Sequence, residues 1–512
     1  MENSKRIIKE CTMNGFCISR KNFLGGLGAA CGSAVLPATA FAKAGEPIMR
    51  FGVASDVHIA VGWKEGGDPE RLGLHSQPYF LEKALRWFDA NKTDAVVFSG
   101  DMAHTGRMEE LEKLVEVWNK VFPGMKRSDG EKVERMLVTG NHEIGQWPGL
   151  WSRYTDEQLR KIRFDYDREH INANWRKLFG EDYQLIWKRE VKGITFVGAH
   201  YPRGTDYQKG WHRPDYSGFF AAHAAELRQG KPFFYVQHGH PAHTCYGEDA
   251  RNAWPDRSMH RILADFPNAV ALSGHSHNTP IDDRSVWQGR FTSIGCGAVA
   301  EAGPSYRVFN YDNGGAPYWP SYKNQRMLCP PQTGNDGRNC VLFEVYADHL
   351  VMKAWSLSFD CPLCEDRAIA LPPIPGGEYD FTRRAESRPA PQFSSDAKAT
   401  VEFAVNPQYC GPGLRGKPCV VVKFPCARPQ EGGGKVFDYV INALVDGRQV
   451  LRTYILNRGY YLPGDRSFTE GVSILGRHEL PKGKEVVFSV TPRDCYRVCG
   501  DELLTAPVVV NP

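Results

Sequence analysis

Residues 95–104 read AVVFSGDMAH, a short apolar run that ends in Gly100, Asp101 and His104. Such a run predicts a buried β-strand, here over residues 95–99. Four more strands are predicted at 48–54, 136–139, 233–236 and 269–272, and a polar cluster follows each of the five. The clusters are Asp56-Val57-His58, Gly100-Asp101-Met102-Ala103-His104, Gly140-Asn141-His142-Glu143, Gln237-His238-Gly239-His240 and Gly274-His275-Ser276-His277. Ligands of open α/β sheets bind outside the carboxyl ends of the strands, so the clusters predict one shared site.

The strands alternate with predicted helices. Apolar residues have helical spacing at 79–91, 108–121 and 219–227, and residues 183–191 and 194–199 have the pattern of a β-hairpin. This alternation up to about residue 357 predicts a layered α/β domain, with boundaries at 46 and 370. Residues 304–331 form a long loop rich in Tyr, Pro, Asn and Gly, a candidate rim over the site.

The pattern changes after a Pro/Gly-rich stretch at 371–393, which is typical of a linker. Short β-rich runs follow at 400–404, 419–424, 436–444, 449–456 and 485–491, with turn residues between them. Residues 394–512 are therefore predicted to form an all-β sandwich of the immunoglobulin or fibronectin type.

Charge argues against a polymeric anion as partner. The first 45 residues carry six Lys and Arg against two Glu, which accounts for the whole net charge of +4. The rest of the 512-residue chain is neutral, so no nucleic-acid polymer is expected. A composition of 42% hydrophobic residues is ample for more than one globular domain.

The N-terminal 45 residues are typical of an export signal. Arg20 and Lys21 precede a Gly/Ala-rich, mildly apolar stretch and then small residues, a twin-arginine-like pattern with Lys as the second basic residue. Export to the periplasm or the cell exterior is expected, and Cys31 leaves a lipid anchor as an alternative. No other stretch is apolar and long enough to span a bilayer, so no transmembrane segment is expected in the mature protein.

Cysteines cluster in the last third of the chain, at Cys361/Cys364, Cys410/Cys419/Cys426 and Cys495/Cys499. Disulfides or buried thiols suit an exported protein. A zinc knuckle is disfavoured because no histidine accompanies these cysteines at the required spacing.

The five clusters have the composition of a two-metal hydrolytic site. Two divalent cations can lower the pKa of a bound water and clamp the oxygens of a phosphate ester during in-line displacement. About seven oxygen and nitrogen ligands are needed, and the clusters supply Asp, His, Asp, Asn, His, His and His.

In order and spacing the clusters resemble the calcineurin-like metallophosphoesterase family, whose pattern is D-x-H, G-D, G-N-H-[DE], a lone His, and G-H-x-H. The resemblance implies a four-layered α/β-sandwich, with two central mixed sheets between helices. It also implies that Asp56, His58, Asp101 and His277 bind one metal and that Asp101, Asn141, His238 and His275 bind the other. Asp101 would bridge the metals, His142 would act beside the leaving group, and the nucleophile would be a metal-bridging hydroxide.

Each cluster alone has a structural explanation. Asp-x-His is often a solvated turn, and Asn141 could cap a helix. Their joint order at strand ends favours the metal site. His240 is the alternative to His238 as a ligand, because both precede Pro241. The remaining candidates are His104 as a supporting residue, His200 as a substrate contact or a structural residue, and Arg203 as a phosphate contact.

The expected activity is therefore hydrolysis of a small-molecule or cell-surface phosphate ester, with two divalent ions of Mn, Fe or Zn and a slight preference for diesters. The alternative from another class is a non-catalytic extracellular binding protein. Such a protein would keep the metal site for structure and bind a glycan or a partner through its β-sandwich.

Overall fold

The computed structural model describes residues 45–61, 77–144, 151–152, 154–201, 215–246, 258–300, 337–407, 414–457, 459–460, 462–464 and 469–510. The predicted export signal up to residue 44, Arg203 and the loop 304–331 lie outside these residues. Within the described part, no helix has the length and hydrophobicity needed to cross a membrane.

The strands are β1 (Met49–Ala54), β2 (Ala95–Ser99), β3 (Glu134–Val138), β4 (Ile186–Val191), β5 (Ile194–Ala199), β6 (Phe233–Val236), β7 (Ala269–Ser273), β8 (Val286–Gln288), β9 (Thr292–Gly295), β10 (Asn339–Val345), β11 (His349–Ser356), β12 (Cys361–Pro362), β13 (Arg367–Ala370), β14 (Thr400–Val405), β15 (Pro418–Pro425), β16 (Val436–Val445), β17 (Arg448–Leu456), β18 (Glu470–Gly476), β19 (Glu485–Asp494), β20 (Leu503–Leu504) and β21 (Val508–Val509). The helices are α1 (Gln77–Ala90), α2 (Met108–Val121), α3 (Asp156–Ile162), α4 (Arg168–Phe179), α5 (Tyr216–Leu227), α6 (Ser258–Leu263) and α7 (Phe381–Ser387), with 3-10 turns at Pro123–Met125, Asp283–Ser285 and Arg477–Glu479.

Two mixed sheets form the centre of the first domain. One has the order β12-β11-β10-β1-β2-β3, with β13 paired to β11, and its strands β1, β2 and β3 are parallel. The other has the order β4-β5-β6-β7-β9-β8, with β5, β6, β7 and β9 parallel. The polar clusters therefore follow parallel strands in both sheets, as predicted.

An apolar core joins the two sheets face to face. Phe51 of β1 is fully buried there, and its ring centroid lies 4.6 Å from that of Phe234 on β6 and 5.2 Å from that of Phe196 on β5. Helices α1, α2 and α4 cover the outer face of the first sheet, and α5 and α6 cover the second. The predicted four-layered α/β-sandwich is confirmed, since helices flank both central sheets.

Within the described residues after α7, the regular structure is β-strand apart from the 3-10 turn Arg477–Glu479. Sheet β14-β15-β18 packs against sheet β17-β16-β19-β20 around a shared core, in which the Phe424 and Tyr439 rings are 4.8 Å apart. The structure thus has the predicted sandwich of two sheets.

The stretch 371–393 differs from a simple linker because it contains α7, which Asp380 caps by accepting a hydrogen bond from the backbone N–H of Arg383. The C-terminal residues Phe437, Leu456, Tyr460 and Cys495 also belong to the same core as the central sheets. The two parts of the chain therefore share buried surface. The exact domain boundaries remain predictions.

Both a disulfide-bonded cysteine and free thiols occur among the cysteines of the last third of the chain. Cys499 is disulfide-bonded, whereas Cys364 and Cys495 carry free thiols. None of the candidate metal-binding groups among the described residues contains a cysteine.

Candidate metal centre

The five clusters meet where the carboxyl ends of the parallel strands of both sheets come together. The first two are joined by the main chain, since the His58 N–H donates to Asp101 O at 2.9 Å. The last two are joined in the same way, with the Gly274 N–H donating to His238 O at 2.9 Å. Main-chain hydrogen bonds therefore join four of the five clusters in two pairs.

One group of candidate ligands contains Asp56, His58 and His277, all of them buried. His277 Nε2 lies 3.0 Å from Asp56 Oδ1 and 3.1 Å from His58 Nε2. Two donor atoms each about 2.1 Å from one ion are about 3.0 to 3.4 Å apart when they subtend an angle of about 90° to 110°. The spacing of these atoms thus fits the ligands of a single cation.

A second group contains Asp101, His238 and His275. His238 Nε2 lies 3.0 Å from Asp101 Oδ2 and 3.1 Å from His275 Nδ1. The His238 Nδ1–H donates to Ser99 O at 2.9 Å, so its Nε2 atom is directed at this group. Asp101 Oδ2 is also 3.7 Å from His58 Nε2, which places this carboxylate between the two groups.

Asn141 is the seventh candidate ligand. Its side chain is buried, and its Oδ1 atom has no hydrogen-bond partner among the described residues. A buried amide oxygen without a partner is unfavourable by about 1 to 3 kcal/mol, and a cation would satisfy it. The donor set of carboxylate, imidazole and amide therefore fits two divalent cations.

The backbone of the ligand loops is unusual. Five candidate ligands have a left-handed backbone with φ between 50° and 64°, namely Asp56, His58, Asp101, His275 and His277. Only a few per cent of non-glycine residues adopt this conformation, and Asp and His are among those that tolerate it best. Such conformations cluster at functional sites.

Glycines allow the loops to approach closely. A Cβ atom at Gly140 would collide with the Asp101 carboxylate, and one at Gly274 would collide with the side chains of Ser55 and Asp56. Gly100 has a φ of 99°, and its Cβ would collide with the His238 ring. The glycine of three of the five clusters is thus required by packing against a candidate ligand.

Glu143 was not among the site residues predicted from the sequence, but it organises two of the loops. Its buried carboxylate accepts hydrogen bonds from the backbone N–H groups of Gly140 at 2.7 Å, Ala103 at 2.6 Å and Asp101 at 3.0 Å. Burial and the neighbouring Asp101 raise the pKa of Glu143 to about 8. The sequence feature that could have identified Glu143 is its position as the last residue of the Gly-Asn-His-Glu cluster.

His142 lies beside the candidate ligands. Its Nε2 is 3.8 Å from Asp101 Oδ2, and its backbone N–H donates to Asp101 Oδ1 at 2.8 Å. The His142 Nδ1–H donates to His104 O at 2.6 Å, because a carbonyl oxygen can only accept. This bond fixes the proton on Nδ1 and directs Nε2 towards the site.

His104, His200 and His240 support the loops. The His104 ring centroid lies 5.6 Å from that of His58, and burial lowers the pKa of His104 to about 4. His240 is fully buried and is 2.6 Å from Ser273 Oγ and 2.8 Å from Ser276 Oγ, so its ring nitrogens are directed at hydroxyls. This geometry favours His238 over His240 as the ligand.

His200 has the contacts of a structural residue. It is buried between the rings of Trp175 and Tyr183, and its Nδ1 accepts a hydrogen bond from the backbone N–H of Thr139 at 2.9 Å. Thr139 directly precedes the Gly140-Asn141-His142 loop. Of the two predicted roles, these contacts fit the structural one. Burial lowers the pKa of His200 to about 3, so the ring is neutral at ordinary pH.

The electrostatics of the centre favour ionised carboxylates. Burial works to raise the pKa of Asp56, but His277 and His238 hold it well below its usual range. Burial likewise opposes ionisation of Asp101, and His238 and His142 lower its pKa. Both carboxylates therefore stay charged although they are buried, and a buried charge needs a partner of opposite sign.

Comparison with known proteins agrees with this geometry. Residues 49–279 match the family described as Calcineurin-like phosphoesterase. No curated protein matches the chain.

Similar solved structures include a dimetal phosphatase from Danio rerio, 15% identical over 64% of this chain and 99% of that chain, with a TM-score of 0.36. A purple acid phosphatase from yellow lupin seeds is 14% identical over 63% of this chain and 53% of that chain, with a TM-score of 0.36. The Plasmodium protein GAP50 is 11% identical over 63% of this chain and 88% of that chain, with a TM-score of 0.32.

The family match covers all five clusters, from Asp56 to His277. The donor groups found in the structure are the ones that these clusters supply. Residues 49–279 therefore resemble the calcineurin-like phosphoesterase family in sequence and supply the donor groups of the candidate metal centre.

Proposed function

We propose that this chain is an exported hydrolase that uses two divalent cations to cleave phosphate esters, with phosphodiesters slightly favoured over phosphomonoesters. One observation carries the proposal. The Asp101 carboxylate lies between two groups of imidazoles, with Oδ2 3.0 Å from His238 Nε2 and 3.7 Å from His58 Nε2. A carboxylate in this position is suited to bridge a pair of cations.

Asp56, His58, Asp101 and His277 would hold one cation, and Asp101, Asn141, His238 and His275 the other. When bound, the two cations lower the pKa of water and neutralise charge on the phosphoryl oxygens. Mixed oxygen and nitrogen ligands suit Mn, Fe and Zn.

His142 would act on the leaving group. Since its Nδ1 proton is engaged by His104 O, the Nε2 atom is the one available to exchange a proton with substrate. Protonated at Nε2, His142 donates to the leaving oxygen as negative charge develops there. Arg203 remains a proposed phosphate contact.

Export is the second part of the proposal, and the basic and then small, apolar residues of the first 45 positions support it. Mass spectrometry of the protein from the native host tests it. The expected result is a mature chain that begins near residue 45. An intact N-terminus on a protein retained inside the cell would contradict export.

Hydrolysis of bis-p-nitrophenyl phosphate and p-nitrophenyl phosphate tests the activity, with Mn, Fe or Zn added to the purified protein. The expected result is metal-dependent release of p-nitrophenol that is faster from the diester. A protein that binds these metals and cleaves neither substrate would instead support the non-catalytic binding protein.

A further inference from the structure

The turn that follows the last candidate ligand lies against the C-terminal β-sandwich. This turn, residues 278–285, begins directly after His277 and contains Arg284, whose side chain is only 3% exposed. Asp282 accepts two hydrogen bonds from its guanidinium, from Nε at 3.0 Å and from Nη2 at 2.8 Å. The buried charge is therefore paired within the turn.

Arg284 is also held between two aromatic rings from different parts of the chain. Its guanidinium carbon lies 3.6 Å from the Tyr246 ring centroid and 4.7 Å from the Phe437 ring centroid. Tyr246 follows the fourth cluster, whereas Phe437 belongs to β16 of the C-terminal sandwich. A desolvated guanidinium over aromatic rings is a favourable and directional contact.

Neighbouring ion pairs strengthen the same contact. Asp283 accepts a hydrogen bond from Arg388 Nη2 at 2.6 Å, and Arg388 Nε lies 3.7 Å from Asp494 Oδ2 on β19. Phe437 itself packs edge-on against Tyr460, with centroids 4.9 Å apart. The C-terminal sandwich thus contacts the turn directly at Arg284, and Arg388 of the stretch 371–393 links Asp283 of the turn to Asp494 of the sandwich.

Two paths, both through Tyr246, lead from Arg284 to the candidate ligands. The Tyr246 backbone N–H donates to Arg284 O at 3.0 Å, and Asn278 Nδ2 donates to Tyr246 O at 3.4 Å, next to His277. The segment 240–246 also begins at His240, whose ring contacts Ser276 between His275 and His277. Tyr246 therefore connects Arg284 with the loops of three candidate ligands.

We propose that Arg284 is a positioning residue through which the C-terminal β-sandwich holds the loops of His238, His275 and His277 in the geometry that binds metal. The inference rests on the proposed metal site. Its consequence is that the cation affinity of the first domain depends on Phe437, a residue of the second part of the chain. The sandwich then acts as a scaffold of the site and not only as an appended module.

The test compares two conservative variants with a matched control. Phe437→Leu keeps an apolar side chain but removes the aromatic ring from Arg284, and Arg284→Lys removes the planar guanidinium. Phe488→Leu is the control. Phe488 is also buried in the sandwich, but it packs in the core between the two sheets of the sandwich, whereas Phe437 packs in the core that is shared with the central sheets. The dissociation constants of Mn²⁺ and Zn²⁺ are measured on the folded, full-length metal-free proteins by competition with a chelator.

The expected result is a loss of about 10-fold to 100-fold in cation affinity for Phe437→Leu and Arg284→Lys, as for other residues that orient ligands. Phe488→Leu should stay within about twofold of the wild type while losing a similar amount of thermal stability. The double variant should bind cations no more weakly than the single variant with the lower affinity, because both changes break the same contact.

Unchanged affinity in folded Phe437→Leu would overturn the inference, as would an equal loss in Phe488→Leu. If Arg284→Lys fails to fold, the comparison of cation affinity between Phe437→Leu and Phe488→Leu still tests the inference. A wild-type protein that binds neither Mn²⁺ nor Zn²⁺ would overturn the proposed function as well, so the two failures are distinguishable.

Discussion

In the proposed mechanism, His142 is the residue at which metal binding and catalysis separate. Its imidazole lies next to Asp101 but belongs to neither set of proposed ligands. We expect His142→Gln to bind both cations and to lower kcat by about 10²-fold to 10⁴-fold, the usual contribution of a positioned general acid. Metal analysis and initial rates on one sample provide the measurement. A variant that loses metal would show that His142 is a ligand.

The two histidines of the fourth cluster should differ in metal content. His238 Nε2 meets Asp101 and His275, whereas both ring nitrogens of His240 face hydroxyls. We expect His238→Ala to lose one of two bound cations. His240→Ala should retain both but bind them about 10-fold to 100-fold more weakly. Counting metal per chain after dialysis checks this, and full occupancy in His238→Ala would contradict it.

At the same scale, sequence patterns identified the candidate metal-binding groups but not the contacts that support them. Asp56, Asp101 and His277 were identifiable because they follow apolar runs in a recognisable order. The contact of His200 with the Thr139 N–H joins residues 61 positions apart, so only the folded chain shows it. Glu143 was overlooked for the same reason, since two of its three backbone donors come from another loop.

Two buried glutamates hold loops between the secondary-structure elements. Glu143 holds the second and third clusters together through three backbone N–H groups, whereas Glu110 holds the start of α2 by accepting from the N–H groups of Thr105 and Arg107. Both Glu→Gln variants should lose about 1 to 3 kcal/mol of unfolding free energy, because an amide group replaces one acceptor oxygen. Only Glu143→Gln should also weaken metal binding. Equal metal affinity in the two variants would show that the loops do not depend on Glu143.

Elements with clear periodicity were predicted most accurately. The strands Ala95–Ser99 and Phe233–Val236 and the helix Met108–Val121 have the predicted bounds. The strand Glu470–Gly476 and the helix Phe381–Ser387 were missed. The first lacks a continuous apolar run, and the second lies in a stretch whose prolines and glycines suggested a linker. In both cases tertiary packing outweighs local preference.

For the whole molecule, the shared core predicts cooperative unfolding. Phe437, Leu456 and Tyr460 of the C-terminal region are buried with the central sheets, so separating the two parts would expose apolar surface on both. We expect one calorimetric transition for the full chain. Two resolved transitions would mean that the parts fold independently, contrary to this packing.

Acid stability of the metal-free protein should depend on His200. Its pKa is about 3 in the folded chain, against 6.5 for the ordinary side chain, because burial disfavours the charged ring. The contribution to stability is therefore complete above about pH 6.5. It falls by about 1.4 kcal/mol for each pH unit below that value, as the unfolded chain takes up the proton first.

His200→Asn keeps an acceptor for the Thr139 N–H but does not titrate. Urea unfolding at pH 7, 6 and 5 should show a shallower pH dependence in this variant than in the wild type. Parallel curves would mean that His200 is protonated in the folded protein.

The left-handed backbone at five of the candidate ligands has an evolutionary consequence. A side chain that does not tolerate this conformation costs about 1 to 2 kcal/mol per residue, and Asp, Asn and His tolerate it better than Glu or a β-branched residue does. Exchange of Asp56 or Asp101 for Glu would keep the carboxylate and still meet a conformational barrier. Descendants of this chain could therefore change the metal they use more readily than the residues that hold it.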